Sequence, residues 1–399
     1  MKSNYSSISA TEAMREAIQN IAVGPDRGRN ISRELAERVM RGILSNDIDD
    51  IQVAVFLIAL RMKRESMPEF LGLFDALFLS TEPVTASVDS VISLADPFDG
   101  YVRNVTMTPF LPAVLAACGH HTVIHGVESV GPKHGVTTHK IIKAAGGNPL
   151  KAVAAVAGSL SDTKWAYVEQ SQYAPTLFAL RELRDKIVKR TALTTLERLL
   201  MPIKGQCSSH LVLGYVHKAY PEIYARVAKS AGFNSVLLLK GVEGGLAPAL
   251  NKPLRRFLFE SDLPDNIDSE KQLVESDKLF ESNVAAQAST ETDQVVECLN
   301  LGLDVLSGST LQSTQTARNS LSLAAGQILN AYDANLPLLA AIEKVQACLD
   351  DGSAKSLFHR NQGKDTERKR NRKYRIRLGK TLILDGKLAF RLSFFLPFH

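Results

Sequence analysis

A glycine-rich block between residues 125 and 139 carries the side chains best suited to binding a phosphate. It contains His125-Gly126 and Gly131-Pro132-Lys133-His134-Gly135, and it precedes a helical pattern. Glycines let backbone amides approach an anion, and a helix N-terminus and a lysine add positive charge. Plain loop geometry, or for His139 an ordinary first helical turn, is the alternative interpretation. The candidate ligands of a phosphate are His125, Gly126, Lys133, His134, Gly135, Thr137, Thr138 and His139.

Short apolar runs alternate with helical patterns from residue 88 onward, which predicts an α/β fold whose mostly parallel sheet is flanked by helices. Ligands of such sheets lie beyond the carboxyl ends of the strands, where His125-Gly126 and Lys240-Gly241 are expected. The polar stretch 260–293 predicts an exposed excursion or a peripheral helix. The predicted strands are 91–94, 122–125, 151–156, 211–216 and 236–240, and the predicted helices are 31–44, 50–62, 68–79, 109–118, 138–145, 175–187, 221–231, 294–306, 315–329 and 337–350.

Composition narrows the class of protein. The 399 residues are 45% hydrophobic, with no uninterrupted apolar stretch of ~18 residues and no apolar N-terminal segment, so we expect a cytoplasmic protein without a membrane span or signal peptide. The four cysteines lack C-x-x-C spacing, which argues against a zinc site or a disulfide framework.

The charge of the chain is divided unevenly. The net charge is +5, but residues 360–399 hold twelve Lys and Arg against three Asp and Glu, so residues 1–359 carry the remaining −4. A basic cluster of this kind attracts nucleic acid or another polyanion, although a solvated tail is the alternative. Asp385-Gly386 predicts a hairpin near the end. The candidate polyanion ligands are Arg368, Lys369, Arg370, Arg372, Lys373, Arg375 and Arg377.

Two long segments carry a family resemblance. The stretch RELAERVMRGILSNDIDDIQVAVFLIALRMKRESMPEFLGL resembles the N-terminal helices of anthranilate phosphoribosyltransferase, and SLAAGQILNAYDANLPLLAAIEKVQACLDDGSA resembles its last helices. The resemblance spans about residues 8–360 and implies the fold of glycosyltransferase family 3 and the pyrimidine nucleoside phosphorylases, an enzyme family of tryptophan biosynthesis. It implies an N-terminal helical domain (1–85) that forms a homodimer, an α/β domain (86–360) whose residues 170–205 pack back on the helical domain, and a basic tail (361–399).

The motifs that bind phosphoribosyl pyrophosphate in this family are altered. The GTGGD loop looks like Ala95-Asp96-Pro97-Phe98-Asp99-Gly100, where the proline has no N–H to donate. The family's Asn-x-Ser-Thr motif follows this loop, and one hydroxyl of its Ser-Thr pair is kept here, at Thr108. The family's Lys-His-Gly stands as Ile124-His125-Gly126, whereas Lys133 and Gly135 match the lysine and glycine of its Ser-Lys-Ser-Gly stretch. The resemblance therefore implies a partial phosphate cradle that includes Asp96, Asp99, Gly100 and Thr108.

The metal and acceptor motifs are also altered. The Asp-Glu pair that holds Mg²⁺ in active members looks like Leu246-Ala247, which leaves Glu243 as the nearby carboxylate. On the acceptor side, Arg184 and Arg190 match family arginines, and Arg190 would face the anthranilate carboxylate. For both arginines a solvated helix face is the alternative.

Two hypotheses follow. In the first, the chain is a non-catalytic family member that binds a phosphorylated ligand or nucleic acid; Glu243-Gly244 and Thr108-Pro109 look similar to a nucleic-acid-binding branch of the family. In the second, it is an active phosphoribosyltransferase in which Asp96, Asp99 and Glu243 bind Mg²⁺. No cofactor is implied by the first hypothesis. The missing Asp-Glu pair favours it.

Overall fold

The computed structural model describes residues 8–24, 27–251, 253–260, 263–264, 267, 271–275, 279 and 291–362. The basic candidates from Arg368 to Arg377 and the hairpin at Asp385-Gly386 lie outside these residues. No helix in the described part of the chain is both long and apolar enough to cross a membrane.

Four helices form the N-terminal unit. α1 is absent from the predicted elements, although Ser9 and Glu12 form a capping box at its start that is readable in the sequence. Ser32 caps α2 as predicted. A second capping box, between Ser66 and Glu69, begins the last helix of the unit. The helices are α1 (Ala10–Ile21), α2 (Arg33–Leu44), α3 (Asp50–Lys63) and α4 (Met67–Leu79).

A seven-stranded sheet forms the centre of the remaining chain, in the order β4-β3-β2-β6-β7-β8-β9. The first five of these strands are mutually parallel, and the last two add antiparallel pairs at one edge. The strands are β2 (Ser90–Ala95), β3 (Thr122–Gly126), β4 (Trp165–Glu169), β6 (Ser208–Tyr215), β7 (Ser235–Lys240), β8 (Leu254–Phe259) and β9 (Lys271–Val274), while β1 (Val84–Thr85) pairs with β5 (Ile203–Lys204).

Apolar side chains cover both faces of the parallel part of the sheet, which explains the continuous apolar runs. One face shares a core with the four N-terminal helices, and the other packs under the closing helices. The helices of the α/β part are α5 (Leu111–Ala117), α6 (Thr138–Ala144), α7 (Val153–Thr163), α8 (Gln170–Tyr173), α9 (Pro175–Ala179), α10 (Arg181–Ile187), α11 (Ala192–Leu196), α12 (Tyr220–Ser230), α13 (Glu291–Leu306), α14 (Gln312–Tyr332), α15 (Leu338–Asp350) and α16 (Ser353–Asn361).

The predicted fold class is confirmed, but two of the predicted elements were wrong. Residues 151–156 begin helix α7 rather than a strand, because the apolar run continues through alanines that favour a helix. The strand of this region is β4, which begins at Trp165, thirteen residues after Ala152. The predicted helix 175–187 divides into α9 and α10, and the polar stretch 260–293 contains β9 where a peripheral helix was one expectation.

Helices α10 and α11 contact α3, so the segment around residues 181–196 touches the N-terminal helices. Leu193, Leu196 and Leu199 are buried in the same core as those helices. The boundaries of the domains at residues 85 and 360 stay predictions.

Candidate functional site

The candidate phosphate ligands gather where parallel strands end. Asp96 follows β2, Gly126 ends β3, and Gly241 follows β7. These strands are parallel, so their carboxyl ends meet at one edge of the sheet. We call the space between the loops at this edge the cleft, defined by residues 96–108, 127–137 and 241–248. It is the place in which ligands of such sheets bind.

The two glycine loops of the cleft close on each other. The Gly135 amide donates to the Asp99 carbonyl at 2.9 Å, and Tyr101 and Val136 exchange two backbone hydrogen bonds of 3.0 and 2.8 Å. Gly100 has a φ of 74°, and a Cβ there would lie 2.6 Å from the Gly135 carbonyl carbon. The glycines are therefore needed for contact between two loops, and the Gly135 amide is bonded within the chain.

Four charged side chains form a network across the closed loops. Arg190 binds the Asp99 carboxylate through Nε at 2.9 Å and Nη2 at 2.6 Å. Lys133 Nζ lies 3.0 Å from Glu243 Oε2 and 3.6 Å from Asp99 Oδ1. Burial alone would raise the pKa of Glu243, but Lys133 and the Arg103 amide hold it below its ordinary value. The two cations and two carboxylates neutralise one another.

Asp96 lies beneath this network in a buried hydrogen-bonded group. Its carboxylate accepts a 2.6 Å hydrogen bond from the Tyr101 hydroxyl, which also lies 3.1 Å from Thr108 Oγ1. Burial raises the pKa of Asp96 to about 6, against the effect of the Tyr101 bond. A Cβ on Gly245 would collide with the Tyr101 hydroxyl, so a glycine is required there. Sequence reasoning missed Tyr101, which joins two of the predicted residues.

His125 is enclosed by aromatic side chains. Its Nδ1 lies 2.8 Å from the Tyr173 hydroxyl, and the Phe98 ring packs edge-on at 5.5 Å between centroids. Burial lowers the pKa of His125 to about 3, so the imidazole is neutral at pH 7. Phe98 also packs with Val127 and Val130. An apolar plug therefore occupies the part of the cleft nearest His125.

At the start of α6, the side chains of Thr137 and His139 form hydrogen bonds within the chain. Thr137 Oγ1 caps the helix by accepting from the Lys140 amide and donates to the Glu128 carbonyl. Thr138 is buried, and its Oγ1 has no hydrogen-bond partner within the described residues. His139 is buried beside Tyr167, and burial lowers the pKa of His139 to about 4.

His134 lies at the rim of the cleft, with a φ of 53°. Its Nδ1 is 3.0 Å from Ser129 Oγ, and its Nε2 is 3.6 Å from the Asp185 carboxylate. Lys140 Nζ donates to the His134 and Gly135 carbonyls. Lys140 of α6 thus holds the glycine loop in place.

Arg184 and Arg198 are buried under the cleft. Arg184 binds Glu197 with two hydrogen bonds of 2.6 and 2.7 Å, so the expectation of a solvated helix face was wrong for this residue. Arg198, which sequence reasoning missed, donates to the carbonyls of Ala95, Gly214 and Gly244. Arg190, in contrast, is half exposed, although its guanidinium contacts Asp99.

The donor set does not fit Mg²⁺. Within the described residues, no group of three or more His, Cys, Asp or Glu side chains is arranged to hold a metal ion. Asp96 is bonded to Tyr101, Asp99 to Arg190, and Glu243 to Lys133. Leu246 is buried at a position of the family's metal pair. A hard cation such as Mg²⁺ needs carboxylate or water oxygens. Here the carboxylate of Glu243 has a lysine, Lys133, as its charge partner in place of a metal ion.

Comparison with known proteins agrees with this fold. Residues 15–78 match the glycosyl transferase family helical bundle domain. Anthranilate phosphoribosyltransferase of Acidithiobacillus ferrooxidans is 23% identical over 342 residues, which cover 86% of this chain and 95% of that one. The chain is an anthranilate phosphoribosyltransferase-like protein. It is also similar to uncharacterised proteins of two bacteria, which fit a divergent branch of the family.

These two relatives align over shorter segments. The protein of Aquifex aeolicus is 27% identical over 228 residues, 57% of this chain and 68% of the relative. YbiB of Escherichia coli is 28% identical over 234 residues, 58% of this chain and 71% of the relative.

Solved structures share the fold. Anthranilate phosphoribosyltransferase from Saccharomyces cerevisiae superposes with a TM-score of 0.71 at 14% identity, covering 90% of this chain and 99% of that one. The enzyme from Thermus thermophilus gives a TM-score of 0.66 at 16% identity, with 88% and 99% covered. The chain therefore shares the fold of these two enzymes.

Proposed function

We propose that this protein is a non-catalytic member of the anthranilate phosphoribosyltransferase family that binds nucleic acid. The observation that carries the proposal is the neutral network in the cleft, where Asp99 and Glu243 bind the cations that a pyrophosphate would need. Transfer of a phosphoribosyl group requires stabilisation of the leaving pyrophosphate. A cleft whose cations are already paired, and whose carboxylates do not fit Mg²⁺, lacks that stabilisation.

Burial of the network makes displacement of its carboxylates costly. The side chains of Asp99 and Glu243 are 2% and 7% exposed. A ligand phosphate would have to replace each carboxylate and leave it unpaired near a second anion, and unpaired buried charge is strongly unfavourable. The cleft is therefore a poor site for a small phosphorylated ligand. The other class of anionic partner, a polyanion, needs an open basic surface.

Such a surface lies at the junction of the helical unit and the α/β part. α3 packs against α10, and Arg61 donates to the Arg190 carbonyl. Exposed Val188, which directly follows α10, offers apolar contact to sugars or bases. Within the described residues, neither Arg64, Lys186 nor Lys189 forms an ion pair. We call this surface the junction patch, defined by the exposed cations Arg61, Arg64, Lys186 and Lys189.

The carboxylates beside the junction patch weaken it only in part. Burial raises the pKa of Glu65, which favours its neutral form relative to an exposed glutamate. Asp185 accepts a 2.7 Å hydrogen bond from the Gly131 amide. Phosphates release counterions when they bind exposed cations, so the patch suits a sugar-phosphate backbone. The basic cluster from Arg368 to Arg377 would add further contacts, although it lies outside the described residues.

A second copy of the chain fits the exposed face of α3. Ile51 and Met62 are 74% and 72% exposed, and Val55 lies between them at helical spacing. We propose that this face forms the homodimer implied by the family resemblance. Light scattering after size exclusion should give a dimer, and Ile51→Asp with Met62→Asp should give a monomer. A wild-type monomer at micromolar concentration would contradict this.

The function is tested with two assays on the full chain. Fluorescence anisotropy with a short oligonucleotide should show binding that weakens steeply with salt. Incubation with phosphoribosyl pyrophosphate, anthranilate and Mg²⁺ should leave the pyrophosphate donor unconsumed. Formation of phosphoribosyl anthranilate would overturn the non-catalytic part and favour an active phosphoribosyltransferase. Calorimetric binding of phosphoribosyl pyrophosphate without nucleic-acid binding would instead favour a small phosphorylated ligand.

A further inference from the structure

Two cysteines far apart in the sequence meet on the side of the sheet that carries the closing helices. Cys118 follows the last residue of α5, and Cys348 lies in α15. Their sulfur atoms are 3.7 Å apart, although 230 residues separate them along the chain. Spacing in the sequence gives no sign of this pair. A disulfide needs the sulfurs to approach by less than two further ångströms, since the bond is ~2.05 Å long.

The two thiols differ in their exposure to solvent. Cys118 is buried, whereas Cys348 is partly exposed. Burial, together with Cys348, raises the pKa of the Cys118 thiol to about 12. Lys344 stands one helical turn before Cys348 on α15. Cys348 is therefore the thiol that an oxidant reaches, and Cys118 is the thiol placed to resolve the product.

We propose that Cys118 and Cys348 are a peroxide-sensitive pair that forms an intramolecular disulfide. The Cys348 thiolate attacks one oxygen of hydrogen peroxide, the O–O bond breaks, and the hydroxide that leaves takes a proton to become water. Cys348 is then a sulfenic acid. The Cys118 sulfur attacks the Cys348 sulfur, the S–O bond breaks, and the Cys118 proton leaves with the hydroxyl as a second water. Two thiols are oxidised and one peroxide is reduced.

The disulfide would connect the closing helices to the cleft. α5 starts directly after Thr108–Phe110, and Thr108 contacts the Tyr101 hydroxyl that binds Asp96. The disulfide would fix the C-terminal end of α5 to α15. It would thereby restrict α5, whose N-terminal end follows Thr108–Phe110. Cross-linking residues so distant in sequence also removes much freedom from the unfolded chain. Oxidation should therefore raise the midpoint of thermal unfolding by several degrees, independently of nucleic-acid binding.

The test uses the full chain with Cys207→Ser, because Cys207 is exposed and would react on its own. After one equivalent of peroxide, mass spectrometry should find peptides containing residues 118 and 348 linked, with the loss of two hydrogen atoms. Dithiothreitol should reverse both the link and the shift in thermal midpoint. Cys118→Ser should instead accumulate sulfenic or sulfinic Cys348 without the shift.

Buried Cys298, whose thiol contacts the Thr106 carbonyl, provides the matched control. Cys298→Ser in the same background should form the link as readily. Sulfinic Cys348 with an unlinked Cys118 in the parent chain would overturn the proposal, as would a link found between two chains only.

Discussion

The cleft and the junction patch carry the same kinds of side chain in opposite electrostatic states. In the cleft, Lys133 and Arg190 contact carboxylates that are nearly fully buried. In the junction patch, Arg64, Lys186 and Lys189 are exposed and, within the described residues, form no ion pair. The contrast teaches that a cation retained at a family position says little about binding until its partner is known. Among the described residues, these three exposed cations lie beside the cleft rather than in it.

The largest expected effect concerns buried charge. Glu197→Ala leaves the Arg184 guanidinium unpaired in the interior, so we expect the free energy of unfolding to fall by about 3–5 kcal/mol. Lys189→Ala in the junction patch should change it by less than about 0.5 kcal/mol, because surface substitutions rarely cost more. Urea denaturation measures both. Equal losses for the two variants would show that the buried ion pair under the cleft and the exposed lysine of the junction patch do not differ in their contribution to stability.

Charge reversal in the junction patch should weaken the binding of nucleic acid. We expect Lys186→Glu with Lys189→Glu to weaken oligonucleotide affinity by about 10- to 100-fold at low salt and to flatten its salt dependence. Lys204→Glu with Lys229→Glu is the matched control, since both of these lysines are exposed and lie toward the amino ends of the strands. Fluorescence anisotropy gives the affinities. Equal weakening by both pairs would mean that net charge, and not this surface, governs binding.

Removing the cleft carboxylates should free its cations. Asp99→Asn with Glu243→Gln leaves Lys133 and Arg190 without anionic partners, so we expect inorganic pyrophosphate to bind at least about tenfold more tightly, or about 1.4 kcal/mol. Glu128→Gln, which alters an exposed carboxylate paired with Lys143, is the control. Calorimetry of the folded variants reports the affinity. No gain in pyrophosphate affinity would show that paired charge is not what closes the cleft.

The last prediction concerns the pH dependence of stability. Because burial raises the pKa of Asp96 to about 6, the folded state binds its proton more tightly than the unfolded state does. This contribution is fully present below pH 3.8 and is lost as the pH rises through 6. Relative to Asp96→Asn, the wild type should therefore lose about 1–3 kcal/mol between pH 4 and pH 7. Denaturation at several pH values measures this difference, and a constant difference would contradict the buried, protonated carboxyl.

The sequence predicted the elements that periodicity controls. The parallel strands β2, β3, β6 and β7 and the helices α2 to α4 follow apolar patterns that differ clearly between strand and helix. The prediction failed at residues 151–156, where an alanine-rich apolar run suits either state. It also missed β4, a strand of five residues whose apolar run ends at Val168. Local pattern alone does not separate these cases.

The candidate site was predicted as a set of residues but not as an arrangement. The sequence identified Asp99, Lys133, Arg190 and Glu243, yet their pairing depends on loops from different strands that only the fold brings together. Arg198 was missed because its partners are backbone carbonyls, which leave no pattern in the side chains. The roles of the predicted residues in ligand binding stay predictions.

The contact between Gly100 and Gly135 has an evolutionary consequence. Each glycine faces the backbone of the opposite loop, so most single substitutions at either position collide with main-chain atoms that have no room to move. Reopening the cleft would require changes in both loops together, along with loss of the Tyr101–Val136 hydrogen bonds. Intermediates with one change would fold less well and be removed by selection. The contact therefore couples the sequence of one glycine loop to that of the other.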